Sequence, residues 1–140
     1  MYFGLSEEQE SFQESLDKFL EDAAPLDLIQ SFAHGENTSL PTAVHNGLIE
    51  LGINSLIIPE EYGGLGLDLL FAAATSQSLG AGIAPAPFTG SYVMAPLALI
   101  KAGSDTQKSE YLEAIGEANI HFGVGISEYI GAREDAGINI

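Results

Sequence analysis

The sequence of 140 residues contains no cysteine and no tryptophan, and only 4 basic residues stand against 20 acidic ones. Without cysteine there is no disulfide framework, thiolate nucleophile or cysteine-ligated metal. The formal charge of −16 repels nucleic acid and anionic membrane surfaces, because both need a Lys/Arg surface that displaces counterions. The composition therefore excludes nucleic-acid binding and thiol chemistry.

Long hydrophobic runs are also missing. No stretch approaches the roughly 20 apolar residues that cross a bilayer. The N-terminus has neither the basic region nor the apolar core of a signal peptide. We expect a soluble, cytoplasmic protein without membrane contact. Its length suits a single domain, and an apolar content of 46% excludes intrinsic disorder.

The hydrophobic pattern is mostly helical. Ser6 and Gln9 have the spacing of a capping box, and Phe12, Leu16 and Phe19 recur behind them at helical spacing. Further helices are predicted at about 27–32, 39–51, 68–79, 90–101 and 104–116, with caps at Ser39 or Thr38, Asp68 and Ser104. At 121–127 the pattern changes to alternation, which indicates a strand. The predicted fold is all-α, a bundle of about six helices with a short β segment at the C-terminal end.

Residues 59–66 read PEEYGGLG and predict a sharp turn whose glycines Gly63 and Gly64 need special backbone angles. A phosphate loop is disfavoured, because neither the Lys-Ser/Thr of a P-loop nor a preceding strand is present. The adjacent Glu60 and Glu61 could serve as general acid and base. Neighbouring side chains usually diverge, however, so solvated carboxylates are favoured.

The three histidines, His34, His45 and His121, are scattered without metal-ligand spacing. We predict surface or lightly packed positions for them and no metal site.

Several ordered motifs resemble the N-terminal helical domain of flavin-dependent acyl-CoA dehydrogenases. The resemblance runs from the LSEEQ opening at Leu5 through PEEYGGLG to the stretch from Ala102 to Leu112, and ends at Ser127 and Glu128. It implies residues 1–118 as the N-terminal helical domain and 119–140 as the first strands of a truncated middle β-domain. Family members are expected to dehydrogenate acyl-CoA thioesters with FAD, as in fatty-acid or steroid side-chain degradation.

The resemblance also implies roles for particular residues. Four residues of the connector and helix near position 90 correspond to the segment that lines the acyl tail: Phe88, Gly90, Ser91 and Met94. Three residues of the predicted strand correspond to flavin-contacting positions: Val124, Ile126 and Ser127. The family's catalytic glutamate belongs to a C-terminal bundle, so no catalytic residue is assigned in this chain. After Glu128, Tyr129 and Arg133 depart from the family's usual wording.

Two interpretations follow from the resemblance. In the first, the chain is the substrate-side domain of such an enzyme, inactive alone, with FAD absent or weakly bound until the missing domains or a partner subunit join it. In the second, it is a non-catalytic module that uses the same fold to dimerise or to complement a partner. In either case the exposed apolar face predicts self-association.

Overall fold

The computed structural model of the chain describes residues 4–125. Within that range six α-helices form: α1 Glu7–Ala23, α2 Leu26–Ala33, α3 Leu40–Glu50, α4 Leu69–Ala81, α5 Ala95–Ala102 and α6 Asp105–Gly116. A single 3-10 turn, Glu60–Tyr62, lies between α3 and α4, and a π-helix, Phe88–Met94, runs directly into α5. The predicted all-α fold of about six helices is confirmed.

Local capping fixes where most of these helices begin. The Ser6 hydroxyl accepts from the Gln9 amide at 3.2 Å, and the Gln9 side-chain oxygen accepts from the Ser6 amide at 2.9 Å. Ser104 and Gln107 form the same capping box at α6. The predicted cap of α3 is wrong, because the Asn37 side-chain oxygen accepts from the Ser39 and Leu40 amides, both at 3.1 Å.

The core is built where α1, α3 and α4 meet. Leu16 of α1 and Val44 and Leu48 of α3 are fully buried, and each such side chain stabilises the fold by about 1.5–3 kcal/mol. A Cβ atom at Gly47 of α3 would overlap the ring of Phe19 in α1. The close approach of these two helices therefore depends on the absence of a side chain at Gly47.

The segment between α3 and α4 is part of the core. Residues 53–58 are buried without interruption. Within them, the Asn54 side-chain amide donates to the carbonyls of Ile115 at 3.3 Å and Gly116 at 2.6 Å. Because the last carbonyls of a helix have no partner within it, this amide satisfies the end of α6 and fixes the segment to it.

The glycine-rich turn after this segment needs its glycines for two different reasons. Gly63 has φ +78°, a left-handed conformation that other residues adopt at a cost. Gly64 does not have a positive φ, so the prediction of a special backbone angle is wrong there. A Cβ atom at Gly64 would instead overlap the backbone of Ile58. Position 64 therefore requires glycine because a side chain would have no room there, and not because of its backbone conformation.

The C-terminal end of the described residues differs in part from the predicted strand at 121–127. Residues 121–125 carry no regular secondary structure. A strand requires a neighbouring strand to pair with, and residues 4–125 contain none. Residues 126–127 of the predicted strand lie outside the described residues. Over the described range, every helix is too short or too polar to span a bilayer.

Candidate functional site

The π-helix Phe88–Met94 takes the place of the first five residues, 90–94, of the helix predicted from residue 90. Its wider turn is visible where the Ala95 amide donates to the carbonyl of Gly90, five residues back. Pro96 follows closely, and it has no amide to donate to the carbonyl of Tyr92 as an α-helix would require. Single π-turns inside helices often occur at functional sites, and this one contains all four predicted acyl-binding residues.

The π-helix divides those four residues between the core and the surface. Phe88 and Ser91 are buried, and Ser91 is 0% exposed. Gly90 and Met94 are only partly covered. A Cβ atom at Gly90 would meet only the Phe122 carbonyl oxygen, at 4.0 Å, so this position faces open space. Of the four, Gly90 and Met94 are therefore the two that are open to contact from outside the chain.

The buried Ser91 connects the π-helix to the C-terminal segment 121–125. Its hydroxyl accepts from the Phe122 amide at 3.0 Å, across 31 positions of sequence. The Phe122 ring packs edge-on against Tyr111 of α6, with ring centroids 5.8 Å apart. The segment is thus held between the π-helix and α6, although the sequence offered no signal for the pairing of Ser91 with Phe122.

A second side-chain cluster lies beside this contact and is formed by His45, Tyr92 and His121. It was not predicted from the sequence. The rings of His45 and His121 meet edge to face, 5.1 Å between centroids. The Tyr92 hydroxyl lies 3.4 Å from Nδ1 of His121. Neither histidine has a spacing that reveals the other, since they are joined only through the tertiary fold.

Burial shapes the protonation of this cluster. It lowers the pKa of His45 below its ordinary value, and the neighbouring charge of His121 lowers it further. Burial also raises the pKa of Tyr92. A proton on His45 is therefore disfavoured in the folded chain. Among the described residues, no group of three or more His, Cys, Asp or Glu side chains is placed to hold a metal ion.

Only one of the three predicted flavin-contacting residues can be located. Val124 lies at the end of the segment that Ser91 holds, and its side chain is 43% exposed. Such a side chain fits an apolar contact with a flat ring system and offers no hydrogen bond. Ile126 and Ser127 lie outside the described residues, so their assignment stays a prediction.

The glycine-rich turn is not an anion site in this structure. The amides of Gly63, Gly64 and Gly66 donate to the carbonyls of Glu60, Pro59 and Ile58, at 3.0, 3.2 and 2.8 Å. Phosphate loops need such amides free and converging on the ligand. The carboxylates of Glu60 and Glu61 are exposed to solvent, as predicted. The turn is structural.

The chain has counterparts among known proteins. Residues 6–118 match the N-terminal domain of acyl-CoA dehydrogenases. Because the match covers most of the sequence, the chain belongs to the acyl-CoA dehydrogenase family.

Two curated relatives carry the same family name. Acyl-CoA dehydrogenase IpdE2 of Mycolicibacterium smegmatis is 30% identical over 113 residues, which cover 81% of this chain and 35% of that protein. The (2S)-methylsuccinyl-CoA dehydrogenase of Cereibacter sphaeroides is 30% identical over 122 residues, covering 84% of this chain and 21% of that protein. The chain thus spans only a minor part of the length of these relatives.

A solved structure shares the fold. One chain of the ChsE4-ChsE5 complex from Mycobacterium tuberculosis superposes with a TM-score of 0.69 at 21% identity, covering 91% of this chain and 32% of that one. At this identity the likeness concerns the fold alone.

Proposed function

We propose that this chain is the acyl-chain-binding domain of a flavin-dependent enzyme that dehydrogenates an acyl-CoA thioester between its α- and β-carbons. Support comes from the family to which the chain belongs and from two relatives named as acyl-CoA dehydrogenases. The residues of this chain bind and enclose the acyl tail, and the chemical step takes place on residues outside it.

The hydrogen bond from the Phe122 amide to Ser91 is the observation that carries this proposal. It brings the π-helix, with its open positions Gly90 and Met94, against the segment that leads to the flavin-contacting positions. An enzyme of this kind must place the acyl chain beside the flavin, because hydride transfer requires reacting atoms about 3–3.5 Å apart. Ser91 supplies the connection between the two surfaces.

FAD, when bound, supplies the hydride acceptor for the acyl β-carbon. Val124 would contact it through an apolar side chain, and Ile126 and Ser127 follow on the same segment. We assign no catalytic base to this chain. Residues 1–118 form the helical domain of the proposal, and residues 119–140 begin a second domain that the rest of the polypeptide or a partner subunit completes.

Photolabelling tests the acyl-binding role without requiring turnover. The chain is irradiated with an acyl-CoA whose acyl tail ends in a photoreactive group, and labelled peptides are mapped by mass spectrometry. We expect label on residues 88–94. Gly90→Leu fills the open position and should reduce labelling at least fivefold, whereas Ala98→Leu, which adds similar bulk at an exposed position on α5, should not. Equal labelling of both variants, or label outside the π-helix, would reject the acyl-binding role.

The second interpretation, a non-catalytic module that complements a partner, is favoured by one observation. The related solved structure is a complex of two named components, ChsE4 and ChsE5. Flavin absorbance separates the two interpretations. The acyl-binding proposal expects the chain to bind FAD in the presence of the domains or partner subunit that complete the enzyme. A complex that stays colourless while it assembles would favour the module.

A further inference from the structure

The residue that closes the C-terminal end of α4, Ile83, has a strained backbone conformation. Ile83 has φ +50°, a left-handed conformation that is a steric outlier for a side chain branched at Cβ. The residue stands in a Schellman motif. The Ala84 amide donates to the Leu79 carbonyl at 2.9 Å, and the Ile83 amide donates to the Gly80 carbonyl at 3.2 Å. In this motif the left-handed position is usually glycine.

Three other helices of the same chain provide the comparison. The same pair of hydrogen bonds closes α2 at Gly35 and α3 at Gly52, where φ is +79°, and α6 at Ala118, where φ is +57°. Glycine adopts that conformation without penalty. The left-handed position is therefore glycine at two helix ends and the small residue alanine at a third, whereas at the end of α4 it is a side chain branched at Cβ.

Burial within the chain does not compensate for that strain. The Ile83 side chain is 58% exposed. Backbone strain of this kind persists where the surroundings or the function require it. Since more than half of the Ile83 side chain is left uncovered by the described residues, we look for the compensation in a contact with another molecule.

Ile83 stands between two open cavities on the surface formed by α1, α2 and the end of α4. The first has a volume of about 620 Å³ and the second about 520 Å³, and both include Ile29 and Ile83 in their walls. Leu26 lines the first and Phe32 the second. We call this surface the Ile83 groove. It presents apolar side chains on both sides of the strained residue.

The charges at the edge of the groove are of one sign. Asp17 and Glu21, one turn apart on α1, line the first cavity. Among the described residues, no Lys, Arg or His contributes to the wall of either cavity. A second copy of the chain would bring the same carboxylates and another charge of −16 against this edge, so like-charge repulsion opposes self-association there.

We propose that the Ile83 groove is a docking site for an amphipathic helix of a separate polypeptide, whose apolar face is flanked by Lys or Arg. The apolar face would enter the two cavities on either side of Ile83, and the basic residues would pair with Asp17 and Glu21. Helix-in-groove recognition of this type uses apolar anchors one or two turns apart. The inference goes beyond the proposed function, which does not by itself require a second polypeptide.

A peptide-binding experiment tests the groove without flavin or acyl-CoA, so its failure would leave the photolabelling test of the acyl site untouched. The probe is a fluorescent 18-residue peptide of leucine and lysine with helical spacing. A leucine–glutamate peptide and a lysine–alanine peptide of the same length serve as controls. We expect the first alone to bind, and its affinity to fall with added salt. Equal binding of either control would overturn the proposal.

Ile83→Gly is the decisive variant, because it removes the anchor and the strain together. We expect at least tenfold weaker binding of the leucine–lysine peptide, with a melting temperature equal to or higher than that of the native chain. Leu70→Ser, at another exposed leucine of α4, should retain binding. Unchanged binding by Ile83→Gly, a clearly lowered melting temperature, or Ile83-dependent self-association in sedimentation would each overturn the assignment.

Discussion

The two segments that lead into and out of α4 are built in different ways. The segment before it, residues 51–68, is buried along 53–58, and the amides of its turn donate within the segment. The segment after it, residues 82–94, starts at the strained Ile83, passes two prolines and ends as a π-helix. The first segment is held by hydrogen bonds within itself and by Asn54 at the end of α6, whereas the second depends, in our proposals, on molecules outside the chain.

That difference predicts where substitutions act on stability and where they act on function. Changes in the segment before α4 should lower the free energy of unfolding and leave the surface chemistry unchanged. Changes in the segment after α4 should have small effects on stability and larger ones on the contacts of residues 121–125 or on binding. Three experiments, in order of decreasing effect, examine this division.

The largest effect is expected for Gly64→Val. A side chain at this position overlaps the backbone of Ile58, which cannot move without displacing the buried segment 53–58. Overpacking of a rigid site costs about 1–3 kcal/mol or more, so we expect a loss of at least about 3 kcal/mol in urea unfolding. In Gly63→Ala the added Cβ atom enters open space, so the variant has only the backbone penalty of a left-handed residue. Its free energy of unfolding should fall by about 1 kcal/mol. Equal losses in the two variants would contradict our account of the turn.

An intermediate effect is expected for Ser91→Ala. The variant loses the hydrogen bond to the Phe122 amide, which is worth about 0.5–1.5 kcal/mol. Hydrogen exchange at the Phe122 amide should accelerate. Thr75→Val provides the control, because its buried hydroxyl bonds only to the Phe71 carbonyl within α4. It should lose similar stability without faster exchange at Phe122. Unchanged exchange in Ser91→Ala would show that Ser91 does not hold segment 121–125.

The smallest effect is a pH dependence at His45. Its pKa is lowered in the folded chain by burial and by His121, so the unfolded chain takes up the proton first as the pH falls. Stability from this group is therefore complete above about pH 6.5 and declines as the pH drops below that value. His45→Gln removes this contribution. Its urea midpoint should fall less between pH 7 and pH 5 than that of the native chain, and parallel declines would contradict the assignment.

The parts of the fold that could be predicted from sequence are those decided by near neighbours. Two capping boxes predict where helices start, Ser6 with Gln9 and Ser104 with Gln107. Each pair satisfies its own backbone amides across three positions. Asp68 caps α4 in the same way. The Asn37 cap of α3 was missed because Ser39 and Thr38, which are equally good caps by composition, stand closer to the helix.

The contacts around the candidate site could not be predicted from the sequence, for a physical reason. The acyl-binding role of Phe88 and Ser91 stays a prediction, and the sequence did not indicate that both are buried. Likewise, His45 and His121 meet only because α3 and the C-terminal segment both pack beside Tyr92. The spacing of these residues in the sequence does not indicate that they are in contact. Neither the Ser91 hydrogen bond nor the histidine contact could therefore be predicted from local sequence patterns.

The π-helix has a consequence for how related genes can diverge. A π-turn differs from an α-turn by one inserted residue, and each residue added or removed rotates the preceding face by about 100° relative to α5. Loss of a single codon in this stretch would change the direction of Gly90 and Met94 while leaving α4 and α5 in place. Pocket shape could thus change by deletion and insertion at this point, without any exchange of core side chains.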